Sequence, residues 1–526
     1  MATPSLAMIP SAIADSKVYS VLPNNGDGDF TFNRDSSATR VGQNGLIQTV
    51  GFFGSELVTN GDFATDSDWT KGTGWTISGG KANSDGSQTS QSNLFQTGIV
   101  PINKTYKATF TIVVTSGSMV LSIGGSNAQP TVSSSGTYSF TSKATSGDSN
   151  FYFSANSSFV GSVDNVSVKE VLGDQPRLNY DISNGVVQSC PSLLLEPAST
   201  NLITYSEAFS NAYWTKSGAS VTSGFVSPDG SSNAYKLVEG SNNGNHLIYS
   251  AFVSGSAGNN YTTSFFVKAA ERTWCKILSY GGTQVFFDLG NGVVGTETNA
   301  SGKIEALSNN WYKISMTYVS QSSERAYLYI AESNNTTSYQ GNGTSGIYVF
   351  GAQVEALSYA TSYIPTSGAS QTRAAETCND AGTASTFNDS EGVLFAEITA
   401  LANDGTFRNI SLNNDTSAQA IRIYYRSQDN KITVLVAFTG GNQSVTVDVP
   451  NSINFIKIAV KYIVNNVQIY VNGSVAGTIT SVAMPTGLNQ LDFSIDQNLP
   501  FYGKCKDIRV YNEALTDAQL QTLTTL

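Results

Sequence analysis

The sequence predicts an all-β protein of tandem β-sandwiches closed by one short C-terminal helix. Three observations carry that reading. Charged residues make up 13% of the 526 residues, against about a quarter in ordinary globular chains, and Gly, Ser, Thr and Asn take their place. Aromatics reach 11%, with 26 Phe and 25 Tyr; such residues suit strands, as Gly and Asn suit the turns between them. Apolar residues also alternate with polar ones in three well-separated regions, the pattern of a strand with one face in a core.

A chain this long holds roughly three or four domains. Residues 1–54 read as an extended leader. The turn cluster Asn24-Asn25-Gly26-Asp27-Gly28-Asp29 precedes the alternating Phe30 and Phe32, and the segment is too short for a core of its own. It either docks on another body or packs as a strand on the second module. Residues 55–172 read as a first compact module. It opens on Leu57-Val58-Thr59-Asn60-Gly61-Asp62-Phe63, runs through the alternation Tyr106, Ala108, Phe110, Ile112, Val114, and closes on Val163-Asp164-Asn165-Val166-Ser167-Val168.

Residues 173–375 form a second module. Its apolar run Leu193-Leu194-Leu195 is stopped by Glu196-Pro197, which suits a buried strand, because proline cannot donate to a sheet ladder. Tyr312, Ile314, Met316 and Tyr318 alternate further on. Residues 376–526 form a third module. Ile456, Ile458, Val460 and Tyr462 line one strand, Val467, Ile469 and Val471 the next, and Asn472-Gly473 is a two-residue hairpin turn. The helix starts at Thr516, an N-cap whose capping box is completed by Gln519, with Leu515 and Leu520 placed as a hydrophobic staple.

A net charge of −11 with no basic block excludes nucleic-acid binding, which needs clustered Lys and Arg. No stretch approaches 18 apolar residues, so no transmembrane helix or membrane insertion is expected. The N-terminus lacks a basic region, and Pro4 and Pro10 interrupt its apolar run, so no signal peptide is expected. Cys190, Cys275, Cys378 and Cys505 are too far apart in sequence for a metal knuckle or redox pair, and buried free thiols are the expectation, with one or two disulfides as the alternative.

Catalytic chemistry finds little material. The single histidine, His246, stands in the loop-like Asn243-Gly244-Asn245 context with no serine elbow nearby, and reads as a surface loop residue. No spacing nominates a carboxylate pair for glycan cleavage, and no phosphate loop is present. No catalytic residue is expected. Binding has better material: sugar rings stack on exposed aromatic faces, and the candidates are Trp69 and Trp75 in the first module and Trp274 and Trp311 in the second. Trp75, Trp214 and Trp311 read as core, whereas Trp69 lies in a polar loop. Trp69 and Trp274 are therefore the carbohydrate-binding candidates.

Three groups of motifs carry a resemblance. Asp29-Phe30-Thr31-Phe32-Asn33-Arg34 runs on to Thr39-Arg40-Val41 and Gly45-Leu46-Ile47. Pro176-Arg177-Leu178-Asn179-Tyr180-Asp181 leads to Leu195-Glu196-Pro197. Gly351-Ala352-Gln353-Val354-Glu355 leads to Ser362-Tyr363-Ile364-Pro365-Thr366 and Thr372-Arg373-Ala374-Ala375. Over residues 1–375 these resemble bacteriophage virion proteins of the tail-fibre or head-fibre adhesin kind. In that family the Gly-Leu-Ile and Pro-Arg-Leu-Asn-Tyr-Asp stretches lie close together; here the whole first module separates them, which marks it as an insertion. That module's opening and closing motifs resemble carbohydrate-binding jelly rolls. These often hold a structural calcium, for which Asp62 and Asp164 stand in suitable places, although Ala64 replaces a further acid. The end of the chain, Phe501-Tyr502-Gly503 and Ile508-Arg509-Val510-Tyr511-Asn512, resembles the concanavalin-like (laminin G type) sandwich.

The resemblance implies a non-enzymatic virion structural protein, a fibre or surface adhesin. It would be assembled in the host cytoplasm, act outside the cell, and have other virion proteins and a host cell-surface glycan as partners. It tilts residues 1–54 towards docking on the particle. Fibres of this kind are often homotrimers, though no heptad or collagen-like stalk occurs here. The alternatives are a purely architectural capsid or tail decoration protein, a capsule depolymerase and a bacterial surface adhesin.

Overall fold

A computed structural model of the protein describes residues 2–526, apart from 15, 103, 125–130, 145–147, 173–174, 184, 322, 427–428 and 496–498. The fold is all-β, as expected, in antiparallel sheets, and Asp517–Thr524 is the one α-helix among the described residues. Thr516 caps it in a reciprocal capping box with Gln519, and Leu515 and Leu520 are buried together beneath it. Asn472 and Gly473, with φ of 46° and 86°, turn Asn466–Val471 into Ser474–Thr480. Both positions need the left-handed region that Asn and Gly tolerate.

Residues 52–172 make a sandwich of a six-stranded and a five-stranded sheet around Phe110, Phe151 and Phe153. Its first strand, Phe52–Glu56, lies antiparallel beside the end of its last, Val160–Leu172, with Phe52 opposite Leu172. The two ends of the module are therefore neighbours. Gly173, the expected start of the second module, lies outside the described residues.

The second sandwich is built from the strands between Trp214 and Glu355. A seven-stranded sheet faces a six-stranded one, with Trp214, Phe265, Ile277, Phe287 and Ile314 between them. The outer face of the six-stranded sheet is not bare. Phe266, Phe350 and Trp311 on that side are buried under Tyr363, with Val41, Ile47 and Ile182 packed alongside.

The C-terminal sandwich is not confined to residues 376–526. Its last strand, Gly503–Tyr511, pairs along one edge with Glu391–Ala400. Two distant segments share its other edge: Leu6–Met8 opposite residues 508–510, and Ser192–Leu195 opposite residues 503–505. Arg177–Asn179 adds a further strand outside Ser192–Leu195. Phe30–Asn33 pairs with Thr377–Asn379. Leu6, Met8, Phe30, Phe32, Leu193 and Leu195 are all sealed in the same core as Ile458 and Ile508.

Two expectations are corrected here. Residues 1–54 are not an extended leader and do not pack as a strand on the second module alone. Their first half completes the C-terminal sandwich, and the hairpin Ala38–Val41/Ile47–Val50 lies against the second. The strand Ser192–Leu195 is buried and stops before Pro197, but it belongs to the third sandwich. The physical reason is the unpaired edge of Gly503–Tyr511, which offers hydrogen bonds to any apolar strand that reaches it.

Candidate functional site

The motifs that set the chain apart converge on a buried ionic knot. Glu376 accepts from Arg34 Nη1 at 2.7 Å and Arg177 Nε at 2.8 Å, while its second oxygen accepts from Arg177 Nη2 and from the backbone N–H of Glu196. Glu196 in turn accepts from Arg177 Nη1 at 2.7 Å, and its Oε2 lies 3.0 Å from Arg373 Nη1. Thr361 Oγ1 accepts from Arg373 and donates to Glu355. Three guanidiniums and three carboxylates are thus closed off together, all 4% exposed or less. Burial alone would raise the Glu196 carboxyl, but Arg373, Arg177 and the Ser362 hydroxyl hold it well below the usual carboxylate range. With each carboxylate paired and no water-facing side, the knot joins segments of the chain and does not face a substrate.

Trp69 is no platform. It is 6% exposed, packed against Phe63, Phe151 and Phe153, with Nε1 donating to the Asn60 carbonyl. Its polar neighbours in sequence hide an inward turn, so neither face is open to a sugar. Trp75, Trp214 and Trp311 are core, as their strand positions suggest. His246 is not a surface loop residue: it is fully buried on the strand Asn243–Ser250, with Nδ1 2.6 Å from the Gly218 carbonyl and Nε2 3.3 Å from that of Tyr339. Cys275, Cys378 and Cys505 are buried free thiols, but Cys190 is exposed. Asp62 and Asp164 lie near the backbone pairing of Gly61 with Val166. Each accepts a local hydrogen bond, from the N–H groups of Ala64 and Asn165 respectively. Among the described residues no cluster of three or more His, Cys, Asp or Glu is arranged for a metal.

Trp274 stands differently. It is half-buried at the start of the strand Trp274–Leu278, in the seven-stranded sheet. Cys275 and Ile277 point into the core, so Trp274, Lys276 and Leu278 face outward. By the same alternation Tyr327 and Tyr329 face outward from Tyr327–Ala331, Tyr249 from Asn243–Ser250, and Gln284 and Phe286 from Gln284–Asp288. The pairing puts them side by side: Tyr249 opposite Tyr327, Tyr327 opposite Leu278, Tyr329 opposite Lys276, and Lys276 opposite Phe286.

The Tyr249 and Tyr327 rings are 5.1 Å apart. The Lys276 ammonium lies 4.1 Å from the Tyr329 ring centre and 5.5 Å from that of Phe286, and 3.3 Å from Gln284 Oε1. Burial lowers its pKa to about 8. At one end of the face Phe252 and Tyr280 meet edge to face at 4.8 Å, each about half exposed. The indole of Trp274 lies close over Gly295, where a side chain would collide with it. This is an aromatic platform on an outer face of the second sandwich that, among the described residues, no apolar layer covers. The sequence singles out Trp274 but not the tyrosines beside it, because their register across four strands is not written locally.

Residues 396–521 match the model of the concanavalin A-like lectin/glucanases superfamily. No curated protein sequence matches the chain. Among solved structures, the carbohydrate-binding module of the Ruminococcus gnavus IT-sialidase, bound to α2,3-sialyllactose, is 15% identical with a TM-score of 0.24. It covers 27% of this chain and 92% of its own. Domain 4 of AbnA, an extracellular arabinanase of Geobacillus stearothermophilus in complex with arabinotriose, is 13% identical with a TM-score of 0.25, covering 29% of this chain and 73% of its own. The NanB sialidase of Streptococcus pneumoniae is 14% identical with a TM-score of 0.24; 27% of this chain and 25% of that one are covered. No helix among the described residues is long and apolar enough to cross a membrane.

Proposed function

We propose that this protein is a non-enzymatic surface adhesin of a phage particle, and that it binds host glycan on the aromatic face of its second sandwich. The observation that carries the binding half is the contrast between that sandwich's two outer faces. One is buried under Tyr363 and the N-terminal hairpin; the other offers Tyr249, Tyr327, Tyr329 and Trp274 half-open to solvent. Aromatic rings flanked by amide and ammonium donors suit the C–H faces and hydroxyls of sugars. The lectin-superfamily match of residues 396–521 supports a glycan-related role for the chain. The particle half rests on the separated motifs of residues 29–47, 176–197 and 351–375, whose charged members meet in one knot.

A glycan array with the intact protein tests the binding half. Wild-type protein should bind at least one glycan class, and Tyr327→Ala should weaken that binding by roughly tenfold or more, as loss of an aromatic anchor does. Equal binding by wild type and Tyr327→Ala would place the site elsewhere, and no binding to any glycan would favour a purely architectural protein. Labelling particles with an antibody to the protein tests the other half.

A further inference from the structure

Among the described residues, two cations of the same face have no acidic partner. The ion pairs described in this sandwich are Lys236–Glu271, Arg272–Glu239 and Lys303–Glu305, and neither Lys276 nor Arg325 is among them. Both are instead held against aromatic rings. Lys276 lies over Tyr329 and Phe286, and the Arg325 guanidinium lies 3.6 Å from the ring centre of Phe252 and 5.1 Å from that of Tyr249. A guanidinium stacked on a ring keeps its in-plane N–H fork for a carboxylate. Arg325 Nε is buried without a hydrogen-bond partner.

Ala326, Leu328 and Ile330 point into the core, so Arg325 shares the outward side with Tyr327 and Tyr329. Arg325 stands four residues from Tyr329, which is opposite Lys276, so the backbone positions that carry the two cations lie about 13 Å apart along the strands at ~3.3 Å per residue. Tyr327 lies between them. Asp288, two residues along the strand from Phe286, is engaged elsewhere: it accepts from the N–H groups of Gly290 and Asn291 and from the Asn291 side chain.

Resting on the glycan reading of this face, we infer that its ligand is an acidic oligosaccharide lying along the strands over Tyr327. One sugar carboxylate sits on Lys276 and another on the fork of Arg325. The lowered pKa of Lys276 is consistent with an ammonium that lacks an anion in the free protein. The other titratable groups facing it are Tyr329, whose pKa burial pushes up, together with Tyr327 and Asp288. An ammonium that loses its proton near pH 8 gives the interaction a pH signature that an arginine in its place would lack.

The test is calorimetric titration of the full chain with polyuronate oligomers and with the same oligomers after their carboxyls are reduced to alcohols. Wild-type protein should prefer the acidic form by about tenfold or more, the size of a charge-assisted contact. Lys276→Met should lose most of that preference while still binding the reduced oligomer and melting as the wild type does; Lys276→Arg should keep it. Affinity of the wild type for polyuronate should fall as pH rises through about 8, and that of Lys276→Arg should stay level. Equal binding of both oligomers by wild-type protein, with Lys276→Met unchanged, would overturn the acidic-ligand inference and leave the glycan reading standing. Failure of both oligomers and of every array glycan to bind would overturn the two together.

Discussion

Glu376 is fully buried, yet every contact it makes is to a charged or polar donor, two of them guanidiniums from segments more than a hundred residues away in sequence. Removing its charge takes one carboxylate from Arg34 and one from Arg177, which keeps Glu196, in a site sealed from water. Glu376→Gln is therefore expected to lower stability by about 3–5 kcal/mol, read as a large drop in melting temperature. Glu196 gives the knot a pH dependence whose sign is fixed. Its folded-state pKa is held below the ordinary value of about 4.3. The stability it contributes is thus present above that pH and is lost as pH falls towards the folded value. Acid titration of the wild type should show melting temperature falling steeply below about pH 4. Glu196→Gln should start lower and fall less. Residues also show where sequence reading fails. Trp69 and Trp274 both stand beside polar residues in sequence, yet one is drawn in by Phe63, Phe151, Phe153 and the Asn60 carbonyl while the other lies over Gly295 on an outer face.

Among the elements, the strands with long alternation were legible: Tyr106 to Ile112, Tyr312 to Tyr318 and Ile456 to Tyr462 all bury the expected faces. So was the capped helix, because its signals lie within a few residues of one another. The strand Leu6–Met8 was not. Three residues show no period, and its partner Val510 is more than five hundred residues away. Such pairing is decided by which edge is vacant in the assembled sheet, and no local pattern records that. The consequence is testable. A fragment of residues 376–526 lacks Leu6–Met8, Arg177–Asn179 and Ser192–Leu195, and leaves one edge of Gly503–Tyr511 unpaired. It is expected to aggregate or to lack cooperative melting, whereas the full chain melts cooperatively; an isolated fragment with a sharp transition would contradict the shared-edge arrangement. For the same reason, deleting residues 1–54 should destabilise the C-terminal sandwich itself, beyond any effect on docking.

At the scale of the molecule, the chain is a two-sandwich body tied by one ionic knot, with a third sandwich set into the hairpin side. The adjacent ends of that first module, Phe52 opposite Leu172, fit its removal without a gap, as an inserted module requires. Joining Val50 to Gly173 should leave the knot and both remaining sandwiches folded, with a melting temperature within a few degrees of wild type. Loss of cooperative melting would mean that the contacts of Tyr138 near Gly368 hold the core together. The proposed binding face lies on the second sandwich, so the shortened protein should also keep whatever glycan the intact protein binds. The most direct measurement of that central claim is hydrogen–deuterium exchange on the intact protein with and without its tightest array glycan. Protection is expected on residues 243–252, 274–288 and 325–331, the strands and loop ends of the aromatic face. Protection confined to the first or the C-terminal sandwich, with these segments unchanged, would contradict it.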